Sequence, residues 1–315
     1  MIRYIGQRLF YMFLTLFIIA SITFFLMKLL PGTPFKNQAK LSDAQIGMML
    51  EKYDLDKPVP VQYVTYMTNL AKGDLGTSFQ FGNAEVSKIL SNRIGPSALI
   101  GFQALLVGTV IGILVGMVGA LRQNTWVDYT TTFIAVIGKS IPSFILAGLL
   151  QYYIGLKLGW FPVAFWKGPE YTVLPTIALS MFPIAITARF MRTEMIEVLN
   201  SDYITFAKAK GVSYFDIAFK HALRNALIPV ITVLGPLAVS LMTGSLVVEK
   251  IFSIPGLGEQ FVKSVAVNDY QVIMGTTLLF SFLFISIILI VDILYGIIDP
   301  RVRIAGGKKQ WYKIK

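Results

Sequence analysis

The stretch Asp202–Pro229, DYITFAKAKGVSYFDIAFKHALRNALIP, decides how this chain is read. It lies between two long apolar segments and reads as two short amphipathic helices broken by Gly211. Ser201 or Asp202 caps the first, which runs from about Tyr203 to Lys210. Tyr203, Phe206, Ala207 and Lys210 share a face by their three- and four-residue spacing. Lys208 and Lys210 complement the dipole at its end, and Gly211 supplies the left-handed residue that stops it. The second helix begins after Ser213, with Asp216 three residues on, a variant of the capping box. Phe215, Ala218, Phe219, Ala222, Leu223 and Ala226 then lead into the next apolar run. A helix as short as the first buries too little to stand alone. It needs either a membrane surface or a groove on a soluble partner. The residues themselves leave both open.

Outward from this segment, 55% of the 315 residues are hydrophobic and only 14% are charged, where a soluble domain carries about 25%. Six runs reach the roughly 20 apolar residues that a span requires: Leu9–Leu30, Ser97–Leu121, Thr131–Leu156, Val173–Met191, Ala226–Val248 and Val272–Ile298. The first exceeds the roughly 7–15 residues of a signal-peptide core and reads as a retained helix. The expected fold is an all-α polytopic membrane protein of six transmembrane helices. With the N-terminus inside, the cytoplasmic segments hold 15 cations against six acids, and the external ones 11 against ten. This favours N-in, C-in. The formal charge of +11 is thus a topology signal and a contact for anionic lipid, and nucleic-acid binding is excluded.

The chain divides into residues 1–30 (cytoplasmic N-terminus and first span), an external loop 31–96, a core 97–298 with the cytoplasmic segment 192–225, and a basic tail 299–315. The loop is too long to be structureless. Ser42 with Gln45 forms a capping box, Pro60 starts a helix carrying Tyr63, Tyr66, Met67 and Leu70, and Asn83 caps another bearing Val86, Ile89 and Leu90. A small helical external cap follows, either packed on the bundle or docking an external protein.

Gly108, Gly112 and Gly116 form a stripe that permits close helix contact in lipid, within the chain or against a partner. Pro142, Pro175, Pro183, Pro229 and Pro236 bend the spans. Lys139 and Asp292 are intramembrane charges, each roughly 12 Å from the cytoplasmic end of its span at about 1.5 Å per residue. Such charges pair or face a polar cavity, and an ion pair between them is one expectation. Lys28 snorkels near the outer end of the first span. Glu194 and Glu197, with Arg192 nearby, read as a salt-bridged helix surface.

Cysteine is absent and there is one His, so disulfides, thiolate chemistry and a His or Cys metal cluster are excluded. No HExxH, EF-hand loop or GxSxG is present. Gly138-Lys139-Ser140 imitates the end of a phosphate-binding loop, but Phe133 stands where its first Gly belongs and the segment is inside an apolar span. No metal, cofactor or catalytic residue is expected, and ATP hydrolysis would have to occur on another polypeptide.

The segment Asp202–Pro229 resembles the cytoplasmic loop of binding-protein-dependent ABC importer permeases. Ala207 and Gly211 match its second Ala and its Gly, while Thr205 and Phe206 stand where Glu and Ala are usual. Further motifs resemble the dipeptide/oligopeptide (peptide/nickel) branch, first-permease type: Leu30-Pro31-Gly32-Thr33-Pro34, Asp56-Lys57-Pro58, Gly73-Asp74-Leu75-Gly76 with Ser78, and Ser140-Ile141-Pro142. Leu158-Gly159-Trp160-Phe161-Pro162, Val248-Glu249 through Phe252-Ser253-Ile254-Pro255-Gly256-Leu257-Gly258, Asn268-Asp269-Tyr270 and Asp299-Pro300-Arg301 continue them. The resemblance implies a type I importer fold in a bacterial-type plasma (inner) membrane. It also implies a homologous second permease, two cytoplasmic ATP-binding subunits and an extracytoplasmic peptide-binding protein as partners. It places the ATPase contact on Asp202, Tyr203, Phe206, Ala207, Lys208, Ala209, Lys210, Gly211 and Pro229. Nickel chelates or haem are alternative cargoes. A proton-coupled secondary transporter and a non-transporting scaffold are the rival classes, the first disfavoured because Asp292 is the only intramembrane carboxylate.

Overall fold

The structure is a computed structural model. It describes residues 2–30, 47–48, 50–51, 53–242 and 244–298, with the side chains of 2–5, 232 and 291–298 excepted. The described residues are helical throughout, apart from turns and one isolated antiparallel bridge between Thr77 and Glu85. The capping box at Ser42, the motifs at 31–34 and 299–301, the basic tail and the Asp292 side chain lie outside them.

The helices are α1 (Ile2–Leu29), α2 (Val59–Ala71), α3 (Val86–Leu121), α4 (Trp126–Ser140), α5 (Ser143–Leu150), α6 (Val173–Leu199), α7 (Asp202–Ala209), α8 (Leu223–Met242), α9 (Leu246–Ile251), α10 (Leu257–Ala266) and α11 (Tyr270–Ile298). Among the described residues, five helical stretches are long and apolar enough to cross a membrane, or six when α4 and α5 count as one broken span. The predicted third span is that broken pair. Its halves meet at 97°, because Pro142 has no N–H to continue the ladder and Ile141 before it turns extended (φ −84°, ψ 118°). Beyond α5 the chain winds more widely as a π-helix over Gln151–Lys157.

Three boundaries differ from expectation. The helix predicted at Val86 is no separate element: it continues through Pro96 to Leu121 as α3. Asn83 does not cap it. Asn83 is left-handed (φ 57°) within the preceding turn, its side chain accepting from the Tyr53 hydroxyl. The predicted fifth span is divided between α8, which ends at Met242, and the short α9, and the apolar stretch long enough to cross a membrane there, Val233–Ile251, takes in both. Gly244, between them, is left-handed (φ +92°).

The chain forms two compact units. One comprises Met1–Ser97, Thr243–Lys250 and Ile254–Ile285. Its core gathers Phe24, Phe79, Tyr270 and Met274, with Tyr53, Tyr63 and Tyr66 packed against them. Helix α2 starts with Pro60 in its first turn, as read, and lies on α1 through Tyr63, whose ring stacks on Phe25 at 5.2 Å. Lys28 does not snorkel alone: it donates to Gln62 on α2.

The other unit comprises Ala98–Met242, Ile251–Ser253 and Ser286–Lys315. Here the glycine stripe of α3 abuts α6. A methyl group on Gly112 would sit 2.6 Å from the Thr187 Cβ, and one on Gly116 2.7 Å from the Met191 Cβ; Gly108 faces Pro183. The contact needs glycine because the two backbones close to within the space of a side chain.

Candidate functional site

Helix α7 is built as its residues dictate. Ser201 stands at the N-cap position with extended backbone, but its hydroxyl bonds back to the Val198 carbonyl instead of capping. At the other end Gly211 (φ +79°) donates to the Lys208 carbonyl at 3.0 Å, and Val212 donates to that of Ala207 at 3.2 Å. These two bonds make a Schellman motif, which satisfies carbonyls that the helix end leaves open. A Cβ on Gly211 would meet nothing within 4 Å. The demand for glycine is therefore conformational, not steric.

The residue that seats α7 escaped the sequence reading. Ile204 is 0% exposed, whereas Tyr203 and Phe206 are 45% and 62% exposed. Spacing put Tyr203, Phe206, Ala207 and Lys210 together, and they do form the open side; Ile204 is the anchor beneath. Lys210 holds its ammonium 4.4 Å from the centre of the Phe206 ring, a cation–π contact that orders both on the surface. The Tyr203 hydroxyl accepts from Asn225 at 2.8 Å, which ties α7 to the start of α8.

The second half begins as read. The Ser213 hydroxyl accepts from the Asp216 N–H at 3.1 Å, and Lys220 pairs with Asp216 at 2.6 Å. The Lys220 ammonium, and then the Ser213 hydroxyl, hold the Asp216 carboxyl below its usual range. A depressed carboxyl contributes its bond wherever pH exceeds the ordinary range and loses it only below, so this cap is formed throughout neutral conditions. Tyr214 donates to the Leu121 carbonyl at 3.2 Å, fixing the turn to the end of α3. Phe215 and Phe219 stack at 4.4 Å and are largely exposed. From Ile217 to Ala222 the helix is wound as a π-helix before α8 continues it. Pro229, inside α8, leaves the Asn225 carbonyl without its helical N–H.

Under this surface lies a buried cluster of Met117 and Ala120 from α3, Met191 and Met195 from α6, Ala222, and Ala226 and Val230 from α8. The segment thus presents an aromatic and basic face outward and grips three spanning helices inward.

Arg192 corrects another expectation. It does not serve Glu194 and Glu197. It binds the 1%-exposed Asp128 of α4 by two bonds, Nε–Oδ1 at 2.5 Å and NH2–Oδ2 at 2.7 Å. The Asn124 N–H donates to the same carboxylate at 3.0 Å. In sequence the turn 122–130 carries only Arg122 and Asp128 as charges, and nothing there marks the acid for burial.

Two distant motif pairs also meet, both in the first unit. Asp269 accepts from the Ser78 hydroxyl and, at 3.3 Å each, from the N–H groups of Phe79 and Gln80. Glu249, 2% exposed, accepts from the Ser97 hydroxyl at 2.7 Å and from the Glu259 N–H at 3.1 Å. Gly256 and Gly258 crowd that carboxylate, leaving no room for a Cβ. Lys139 closes the last turn of α4, where a cation complements the helix dipole; its predicted partner's side chain is outside the described residues. No cluster of His, Cys, Asp and Glu suited to a metal occurs among the described residues.

Residues 108–304 match the family described as the binding-protein-dependent transport system inner membrane component, and residues 1–92 match that system's N-terminal membrane component. The chain belongs to this permease family. Among curated proteins this permease is 46% identical over 304 residues to the dipeptide transport system permease protein DppB of Lactococcus lactis subsp. cremoris, covering 96% of this chain and 100% of that one. It is 40% identical over 305 residues to the oligopeptide transport system permease protein OppB of Haemophilus influenzae, with the same coverage. In three dimensions it is similar to a chain of the MetNI methionine ABC transporter in an inward-facing conformation. That match has a TM-score of 0.57 and 20% identity over 68% of this chain and 97% of that one. The likeness supports the type I permease fold. The permease is therefore a multi-pass inner-membrane protein of an ABC importer, a class whose permeases work with ATPase and other subunits.

Proposed function

We propose that this permease is one of two membrane subunits of an ATP-driven importer of dipeptides or oligopeptides. It pairs with a homologous permease, receives peptide from an extracytoplasmic binding protein, and is driven by two cytoplasmic ATP-binding subunits. ATP is hydrolysed on those subunits, and this chain catalyses no reaction of its own. The peptide cargo is carried over from relatives at 46% and 40% identity that are matched end to end.

The observation that carries the mechanism is the cytoplasmic segment. Exposed Tyr203, Phe206, Phe215 and Phe219 flank a helix whose Ile204 is fully buried, over a cluster shared by three spanning helices. Such a ridge of aromatic and aliphatic groups fits a groove on a soluble partner. Closure of the ATPases on ATP would press α7 through Asp202, Tyr203, Phe206, Ala207, Lys208, Ala209, Lys210 and Gly211. Packing of Ala222 with α3, α6 and α8 would let the segment move with those helices, while the wide-wound 217–222 and the Pro229 break would give it room to bend, a rigid-body switch between states.

The test is purification of the tagged chain from its own cells. Recovery of ATP-binding subunits and a second permease, with ATP-dependent peptide uptake after reconstitution, is the expected outcome. A chain that purifies with no ATPase, or uptake that survives ATP depletion and collapses with a protonophore, overturns the proposal.

A further inference from the structure

Within the second unit, α3, α4 and α6 line an open cavity of about 910 Å³ that reaches Arg192, Thr193 and Glu194 at the start of the segment 192–225. Its size falls in the range of about 300–1,000 Å³ typical of sites for small molecules, well beyond what a bound ion needs. Its wall is mixed: Val115, Ala135, Val136 and Phe190 are apolar, while Thr131, Thr132 and Thr193 are polar. Lys139, Arg189 and Glu194 supply charge.

Arg192 also lines it, but that guanidinium is spent on Asp128. Lys139 and Arg189 are exposed within the unit and form no ion pair among the described residues. Lys139 stands 11 residues beyond Asp128 on α4, about 16 Å along the axis at 1.5 Å per residue. A lysine stem does not span that distance to cytoplasmic water by snorkelling. A cation at such depth is costly in lipid and is found facing a partner charge or a wet passage.

We propose that this cavity receives the peptide in transit by its C-terminal carboxylate, drawn to the cations of Lys139 and Arg189 on different levels of its wall. The inference rests on the peptide-importer reading above. A free peptide always carries a carboxylate at one end and an ammonium at the other, whatever its side chains. Two cations therefore recognise every cargo without selecting a sequence. Glu194 follows Arg189 by five residues, about 7.5 Å along α6, and supplies the opposite sign. That arrangement offers both signs to a short zwitterion; the net positive lining would also draw an anionic lipid headgroup, which the vesicle composition in the test below separates.

The test uses the complete importer in liposomes, with trialanine and trialanine amide each supplied already bound to the external binding protein. The wild-type assembly is expected to move the free acid about tenfold faster than the amide, the scale of one hydrogen bond to a charged group. Lys139→Gln and Arg189→Gln should erase most of that preference while the ATPase rate without peptide stays unchanged. Four results overturn the inference: no acid preference in the wild type; equal slowing of both peptides in the variants; a defect seen only in vesicles containing phosphatidylglycerol, which would mark a lipid site; or the same loss of preference from Asp292→Asn alone, which would make Lys139 half of an internal pair. In none of these does the wild type cease to import peptide with ATP. Failure of that import is a separate outcome, and it alone would refute the importer reading.

Discussion

Gly211 offers a clean separation of backbone from packing. It ends α7 at φ +79°, and a Cβ there meets no atom within 4 Å. Any side chain fits the space, so the penalty is the conformation alone. A left-handed residue costs an ordinary L-amino acid about 1–2 kcal/mol; Asn tolerates it better, and a β-branched residue worse. If that strain is relieved, the bonds from Gly211 to Lys208 and from Val212 to Ala207 are lost, and with them the set of the Phe206–Lys210 end. A cost of about 1–2 kcal/mol lowers the correctly formed population by about 5–30-fold. In reconstituted importer, peptide moved per ATP hydrolysed should rank wild type, Gly211→Asn, Gly211→Ala, Gly211→Val, with the last down about 5–30-fold. Membrane insertion and subunit assembly should be equal in all four. Normal coupling in Gly211→Val would refute the reasoning. So would a Gly211→Asn variant as damaged as Gly211→Val, because it would mean that a neighbouring subunit rejects any side chain.

Other outcomes follow from the same geometry. Asp128→Asn or Arg192→Gln strands one member of a largely buried pair and should lower stability by about 3–5 kcal/mol, read as a lower melting temperature in detergent. The double change Asp128→Leu with Arg192→Met should be milder than either. Gly112→Leu drives carbon into Thr187 on α6 and should cost about 1–3 kcal/mol or more by overpacking; Gly148→Ala, with nothing within 4 Å, should leave the melting temperature unchanged. Ile204→Ala removes the buried anchor of α7 and should cost about 2–5 kcal/mol of local seating, seen as faster hydrogen exchange across 202–210 with the spans unaffected.

What the sequence disclosed was governed by local physics. Gly211, the Ser213–Asp216 cap and the Pro60 helix start are decided by neighbours within four residues, so reading them needs no fold. The break at Pro142 was likewise visible in the missing N–H, though its 97° was not. At Asn83 a polar residue before an apolar helix suits a cap and a left-handed turn alike, and only its bond to Tyr53 decides. Ile204 is hard to see in sequence because spacing brings out the aromatic face of α7, whereas its buried side is a single aliphatic residue. Asp128 with Arg192, Ser78 with Asp269 and Ser97 with Glu249 are 64, 191 and 152 residues apart. Nothing in a single sequence pairs such groups. The motifs holding Ser78, Asp269 and Glu249 were noticed as patterns, but their partners emerge only when the chain is folded.

The Ser78–Asp269 contact has a bearing on birth as well as on shape. The ribosome releases the chain in order, so the turn at Ser78 is made long before its acceptor exists. Until Asp269 emerges, the N–H groups of Phe79 and Gln80 lack that carboxylate. A nascent chain cut short anywhere before Asp269 keeps only the turn's local bonds, from the Gln80 and Phe81 N–H groups to the Ser78 hydroxyl, and lacks the long-range acceptor that ties the turn to the start of α11.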